Sequence, residues 1–217
     1  MKMIAVNGSP RTQWNTAQML KSALRGAESA GAETQLVNLY DASFKGCISC
    51  FACKKGRGET AGRCTMRDGL TDLLDEITAS GAGLLIGSPI YLGDVTSATR
   101  AFLERLVFPN VSYSKETRSY FKGTVNSGVI YTMGLPSDAA LKRGYEYLYS
   151  TIQRYLSLLG GSSDYITCAD TYQFDDYAKY NTSNVDVAQK EDVRKNQFPA
   201  DLEAAFELGK RLAQTGR

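Results

Sequence analysis

Apolar and polar positions alternate in blocks along this 217-residue chain. Lys2 to Asn7 is a short apolar run closed by Gly8, the pattern of a buried strand. Thr16 to Ala30 sets Met19, Leu20, Ala23, Leu24 and Ala27 at helical spacing, with Gly31 as its stop. Gln35 to Leu39 predicts a second strand. Beyond a cysteine-rich stretch, Asp68 is placed to cap a helix with Leu70, Leu73, Leu74 and Ile77 on one face and Gly81 at its end. Ala82 to Ser88 is a third buried strand, and Thr96 to Phe108 a helix through Phe102, Leu103, Leu106 and Val107, ended by Pro109. Val125 to Met133 is a fourth strand. Leu141, Tyr145, Leu148, Ile152, Leu156 and Leu159 predict one long helix ended by Gly160-Gly161. Tyr165 to Ala169 is a fifth strand, and Pro199 suits the first turn of a last helix through Leu202, Ala205, Phe206 and Leu212.

Strands alternating with helices predict an α/β fold: a flavodoxin-like, doubly wound, five-stranded parallel sheet with helices on both faces. Ligands of such sheets bind beyond the carboxyl ends of the strands, so the loops after strands one to four carry the functional information. The chain shows no repeat and no linker, and residues 1–217 are expected to form one domain. Its special features are a cysteine-rich loop at 45–67 and a C-terminal extension at 170–198. The extension is polar, yet Tyr172, Phe174, Tyr177 and Tyr180 make it too aromatic for a disordered tail.

Composition then removes mechanisms. With no histidine, the chain has no Ser-His-Asp or Cys-His catalytic unit and no histidine-bearing metal site. Any soft metal must rest on its 5 cysteines, and a cofactor is expected to carry the chemistry. A net charge of +2 predicts no affinity for nucleic acid or membrane surfaces. Met1 to Pro10 lacks the apolar stretch of a signal peptide, so a cytoplasmic location with reduced thiols is expected.

The loop after the first strand, Asn7-Gly8-Ser9-Pro10-Arg11-Thr12-Gln13-Trp14-Asn15-Thr16, runs into a helix start. Backbone N–H groups and the helix dipole favour an anion there. Ser9, Asn15 and Thr16 add short donors, and Arg11 can grip a phosphate in a bidentate way. A polar loop with Asn15 as an ordinary cap reads equally well. The loop after the third strand, Gly87-Ser88-Pro89-Ile90-Tyr91-Leu92-Gly93-Asp94, is stiffened by Pro89, and Gly93 lets the backbone turn or approach a flat ring. Gly8-Ser9-Pro10-Arg11 with Asn15-Thr16 resembles the FMN phosphate loop of the NADPH-dependent FMN reductase family. Ser88-Pro89-Ile90-Tyr91 resembles that family's flavin-ring loop. Trp14 departs from the family's small, polar pattern. The resemblance implies that Ser9, Arg11, Asn15 and Thr16 hold the FMN phosphate. It implies that Pro89, Ile90, Tyr91, Leu92 and Gly93 hold the ring, with Thr132, Met133 and Gly134 as a third contact. It also implies electron transfer from NAD(P)H through FMN to a small-molecule or protein acceptor, a homodimer or homotetramer, and no side chain as acid–base catalyst.

Cys47, Cys50 and Cys53 follow a C-x2-C-x2-C spacing, with Cys64 ten residues further on. Such closely spaced thiolates suit a [4Fe–4S] cluster; zinc usually takes two separated C-x2-C pairs, and reactive or structural thiols are a third reading. Lys45, Lys54, Lys55, Arg57 and Arg63 stand near the thiols in sequence and would lower their pKa values or offset an anionic cluster. The segment resembles the cysteine motif of the iron–sulfur flavoproteins, a branch of the same family, although the insertion Gly56 to Gly62 lengthens its last interval. That resemblance implies the alternative function of an electron carrier exchanging electrons with ferredoxin. Cys168 reads as a core residue, the tyrosines Tyr145, Tyr147, Tyr149 and Tyr155 as core and subunit contacts, and the Lys190 to Lys195 run as a solvated face.

Overall fold

The apolar runs assemble into a single sheet. The computed structural model describes residues 1–55 and 62–215, so Arg57 and most of the Gly56 to Gly62 insertion lie outside the described residues. The strands are β1 (Lys2–Asn7), β2 (Glu33–Asn38), β3 (Gly83–Tyr91), β4 (Asp94–Val95), β5 (Val125–Thr132) and β6 (Gly160–Cys168). Five are parallel in the order β2-β1-β3-β5-β6, and β4 folds back antiparallel on β3. This is the doubly wound, flavodoxin-like order, with its switch point between β1 and β3.

The period-two pattern of β1 explains the two layers. Met3 and Ala5 face one core, together with Met19, Leu20 and Ala23 of α1 (Asn15–Ser29). Ile4 and Val6 face the other, with Leu73, Leu74 and Ile77 of α2 (Thr71–Ser80) and Phe102, Leu103 and Leu106 of α3 (Ser97–Val107). The chain then forms α4 (Ser137–Lys142), α5 (Tyr145–Leu156), α6 (Val187–Asp192) and α7 (Phe198–Thr215). α5 joins the second layer through Tyr149, Ile152 and Leu156, and α7 joins the first through Ala205, Leu208 and Leu212. Cys168 is fully buried in the first layer, as its strand position predicts. Among the described residues no helix is long and apolar enough to cross a membrane.

Five local expectations change. The single helix through Leu141 and Leu159 is broken between α4 and α5, because Gly144 takes a left-handed conformation (φ 75°) that ends one helical run before the next begins. Leu141 is consequently exposed. Gly160 and Gly161 do not merely stop a helix; they open β6, where Gly160 lies opposite Val125. β3 runs beyond Ser88 through Pro89, Ile90 and Tyr91, and reaches β4 through a two-residue turn with Leu92 and Gly93 both at positive φ (53° and 85°). Asn15 is not the cap of α1. Trp14 occupies that position without a side-chain cap bond. Finally, Lys190 is not part of a solvated face. It is 5% exposed and ion-paired to Asp170, a residue buried on the C-terminal extension.

Candidate functional site

Three strand ends and the extension enclose one cleft of about 500 Å3, within the roughly 300–1,000 Å3 of small-molecule sites. Ser9, Arg11, Trp14, Asn15 and Thr16 line it from the β1–α1 loop, Pro89 to Leu92 from the end of β3, and Thr132 to Gly134 from the end of β5. Gly93 does not line it: it sits in the turn beyond Leu92, facing the Tyr145 ring. Thr171, Tyr172 and Gln173 of the aromatic extension complete the wall.

Local hydrogen bonds shape the first loop. Asn7 Oδ1 accepts the Ser9 N–H, and Ser9 Oγ accepts the Arg11 N–H, at 3.1 Å each. The chain is thereby folded back so that the first turn of α1 opens on the cleft. That turn carries no acidic residue and no side-chain cap, so its N–H groups and the positive end of the helix dipole stay available to an anion. Among the described residues, Arg11 is the only charged one lining the cleft. Thr16 Oγ1 pairs with Thr132 Oγ1 at 2.7 Å, tying the β1 loop to the end of β5.

The extension is bolted to this loop through its backbone. The Tyr172 carbonyl accepts Trp14 Nε1–H (3.0 Å) and Asn15 Nδ2–H (2.8 Å), and the Gln173 carbonyl accepts from Arg11 Nη1 (2.5 Å). Thr171 N–H donates to the Met133 carbonyl at 3.0 Å, and buried Lys190 Nζ donates to the Gly134 carbonyl and to Asp170. The aromatic residues that set this segment apart in sequence hold it together: Phe174 stacks on Tyr180 at 3.9 Å, and Tyr177 packs edge-on against Tyr172 and Phe174.

Behind the β5 wall lies a tyrosine cluster. Tyr131 stacks on Tyr149 at 4.4 Å, and Tyr165 meets both rings. Burial pushes the Tyr149 phenol up to about 12 and Tyr131 higher still. The Tyr131 hydroxyl is buried without a hydrogen-bond partner. Of the other tyrosines on α5, Tyr147 and Tyr155 are exposed.

A second constellation sits at the far end of α3. Cys47, Cys50, Cys53 and Cys64 line one narrow cavity with Ile48, Phe51, Met66 and Phe108. Cys53 is buried, and burial pushes its thiol pKa up. Two of the basic residues near the thiols in sequence, Lys54 and Arg63, make their hydrogen bonds away from the sulfurs. Lys54 donates to the carbonyls of Phe108, Pro109 and Val111 under the Phe108 ring, and burial lowers its pKa. Arg63 pairs with Asp75. Arg105, within α3 and without a mark in the sequence, reaches a thiol: its Nε–H donates to Cys64 Sγ at 3.0 Å. Asp68, read only as a helix cap, accepts from both Arg105 terminal nitrogens and from the Leu70 N–H. Partial burial alone would raise the Asp68 pKa; the Arg105 and backbone hydrogen bonds outweigh it and hold the carboxyl below its usual range.

Residues 1–138 match the family described as NADPH-dependent FMN reductase. An iron-sulfur flavoprotein of Methanocaldococcus jannaschii is 31% identical over 105 residues, 48% of this chain and 51% of that protein. One from Archaeoglobus fulgidus is 29% identical over 129 residues, 59% of this chain and 60% of that protein. The chain thus spans about half the length of the curated relatives it matches. Among solved structures, an NAD(P)H:quinone oxidoreductase from Methanothermobacter marburgensis superposes with a TM-score of 0.71 at 15% identity, covering 98% of both chains. An FMN-dependent NADH-azoreductase from Bacillus anthracis, in complex with FMN, superposes at 0.64 with 14% identity, covering 98% of this chain and 100% of that one. These two likenesses concern the fold alone. The family match covers more than half of the sequence and both loops whose motifs resemble its flavin contacts, and the chain belongs to the NADPH-dependent FMN reductase family.

Proposed function

We propose that the cleft holds FMN and that the protein is an NAD(P)H-dependent flavin oxidoreductase. The observation that carries this reading is the convergence of an uncapped helix start, one cation and two further strand ends on a single cleft. The donor set fits the cofactor. Ser9, Asn15, Thr16 and the α1 N–H groups offer donors for a phosphate, and Arg11 supplies the counter-charge, with no carboxylate among the described wall residues. Pro89 to Leu92 and Thr132 to Gly134 provide apolar surface and backbone groups suited to the flat ring system. FMN, when bound, supplies hydride acceptance and release of electrons one at a time. The protein's own task is to fix the ring, exclude water from one face and leave the other open for a nicotinamide and an acceptor. No side chain is assigned a proton-transfer role. Exposed Tyr91, Leu92, Tyr147 and Tyr155 favour a homodimer or homotetramer.

A second reading adds a [4Fe–4S] cluster on Cys47, Cys50, Cys53 and Cys64, making the protein an iron–sulfur flavoprotein that exchanges electrons with a ferredoxin-like partner. Its support is the shared cavity of the four thiols and the iron-sulfur flavoproteins among the relatives. Among the described residues no three Cys, Asp or Glu side chains converge as a single ion requires. The close C-x2-C-x2-C spacing suits a four-iron cluster, whereas zinc usually takes two separated C-x2-C pairs. Anaerobic purification with flavin, iron and zinc measured per chain tests both readings. One flavin supports the first, four irons with sulfide support the second, and a colourless protein contradicts both.

A further inference from the structure

The long interval before Cys64 is the irregular feature of the cysteine motif, and α3 compensates for it. Glu104 and Arg105, adjacent at the C-terminal end of this helix, together reach both ends of the cysteine loop. Glu104 Oε2 accepts the Cys47 N–H at 3.0 Å. The Arg105 side chain, 1% exposed, donates from Nε to Cys64 Sγ at 3.0 Å and from Nη1 to the Lys45 carbonyl at 2.9 Å. Its Nη1 and Nη2 also donate to the two Asp68 oxygens at 2.8 and 3.2 Å, which fixes the plane of the guanidinium and so the direction of the Nε–H. The other end of α3 is anchored at the cleft. The Thr96 hydroxyl donates to the Gly8 carbonyl at 2.7 Å, and the Thr96 N–H donates to Ser88 Oγ at 3.1 Å. From Thr96 to Arg105 the helix rises about 14 Å.

We propose that Arg105 is the positioning and tuning residue of the cysteine site: it holds Cys64 at the cavity despite the long interval and donates a charged hydrogen bond to that sulfur. This rests on the cluster reading above. A cationic donor at a ligating sulfur withdraws electron density and favours the reduced, more negative cluster, which raises the reduction potential. Arg105 cannot serve this purpose by charge alone. The ion pair with partly buried Asp68 cancels much of the charge, so the directed Nε–H is what reaches the sulfur. Asp68 acts through Arg105 and touches no thiol.

The test compares anaerobically purified wild type with Arg105→Lys, Arg105→Gln and the double variant Asp68→Asn/Arg105→Gln. The double variant removes both members of the ion pair, so no carboxylate is left unpaired if the single variant fails to fold. Bound flavin and the melting temperature report folding; iron per chain and the cluster midpoint potential, from a redox titration followed by electron paramagnetic resonance, report the proposal. The expected result is a flavin-replete double variant that either loses at least half of its iron or keeps it with a clearly more negative cluster potential, while the flavin potential stays put. Arg105→Lys should recover part of the lost iron or potential, because it restores a cationic donor. A double variant with four irons at the wild-type potential overturns the proposal and leaves the cluster reading intact. Wild type without iron overturns the cluster reading and this proposal together.

Discussion

The side-chain amide of Asn15 donates to the backbone carbonyl of Tyr172, 2.8 Å away and 157 positions later in the chain. This bond joins the first turn of α1 to the C-terminal extension, which makes the extension part of the cleft wall. Its hold depends on Lys190, whose ammonium is buried against Asp170 and the Gly134 carbonyl. Removing one partner of such a pair costs about 3–5 kcal/mol because the other charge stays buried alone. Lys190→Met should lower the melting temperature and speed FMN release, whereas Asp170→Asn/Lys190→Met should recover most of the stability. Flavin fluorescence after dilution reads the release rate. Equal release rates in wild type and Lys190→Met would detach the extension from cofactor retention.

Arg11 brings a positive charge to the cleft, and it is exposed. A charged hydrogen bond is worth about 1.5–3 kcal/mol, so Arg11→Ala should weaken FMN binding by roughly tenfold or more. Riboflavin, which lacks the phosphate, should bind both proteins alike. Isothermal titration of the two flavins into apoprotein checks this, and an equal loss for both would move Arg11 away from the phosphate.

The Tyr131 hydroxyl is buried and unpartnered, and such an orphan costs about 1–3 kcal/mol. Tyr131→Phe keeps the stack on Tyr149 and deletes the orphan. It should raise the melting temperature by a few degrees, since about 1 kcal/mol shifts a domain of this size by roughly 2–4 °C. A lower melting temperature would indicate that the hydroxyl has a partner, such as an ordered water.

The Asp68–Arg105 pair makes stability depend on acid. The folded Asp68 carboxyl lies below its ordinary value of 3.8. Its contribution is therefore fully present above the unfolded value and is lost as pH falls through the lower folded one. Asp68→Asn should cost stability at neutral pH and lose less than wild type on acidification below about pH 4. Urea midpoints measured along a pH series test the sign; parallel pH curves for the two proteins would contradict it.

Much of this organisation was legible in sequence for physical reasons. Buried strands advertise themselves as apolar runs, and amphipathic helices by period; both gave the doubly wound sheet. Ligand loops lie at strand ends, so Ser9, Arg11 and Pro89 to Leu92 could be picked out before their contacts were known. What escaped was carried by groups without a sequence mark. The Tyr172 and Gln173 carbonyls accept from the first loop, and any residue type has a carbonyl. Lys190 sits in a charged run, and its partners, Asp170 across 20 positions and the Gly134 carbonyl, leave no mark there. Arg105 lies among core residues of α3, and its tie to Cys64 spans 41 positions. The break at Gly144 was hidden because the leucine and tyrosine spacing continues across it.

If the cleft of α1, β3 and β5 is an FMN site, acid should release the flavin from the purified protein. The expected result is about one FMN per chain, with riboflavin failing to replace it in reconstituted apoprotein. Apoprotein that takes up no FMN, or that binds riboflavin as tightly as FMN, would contradict it.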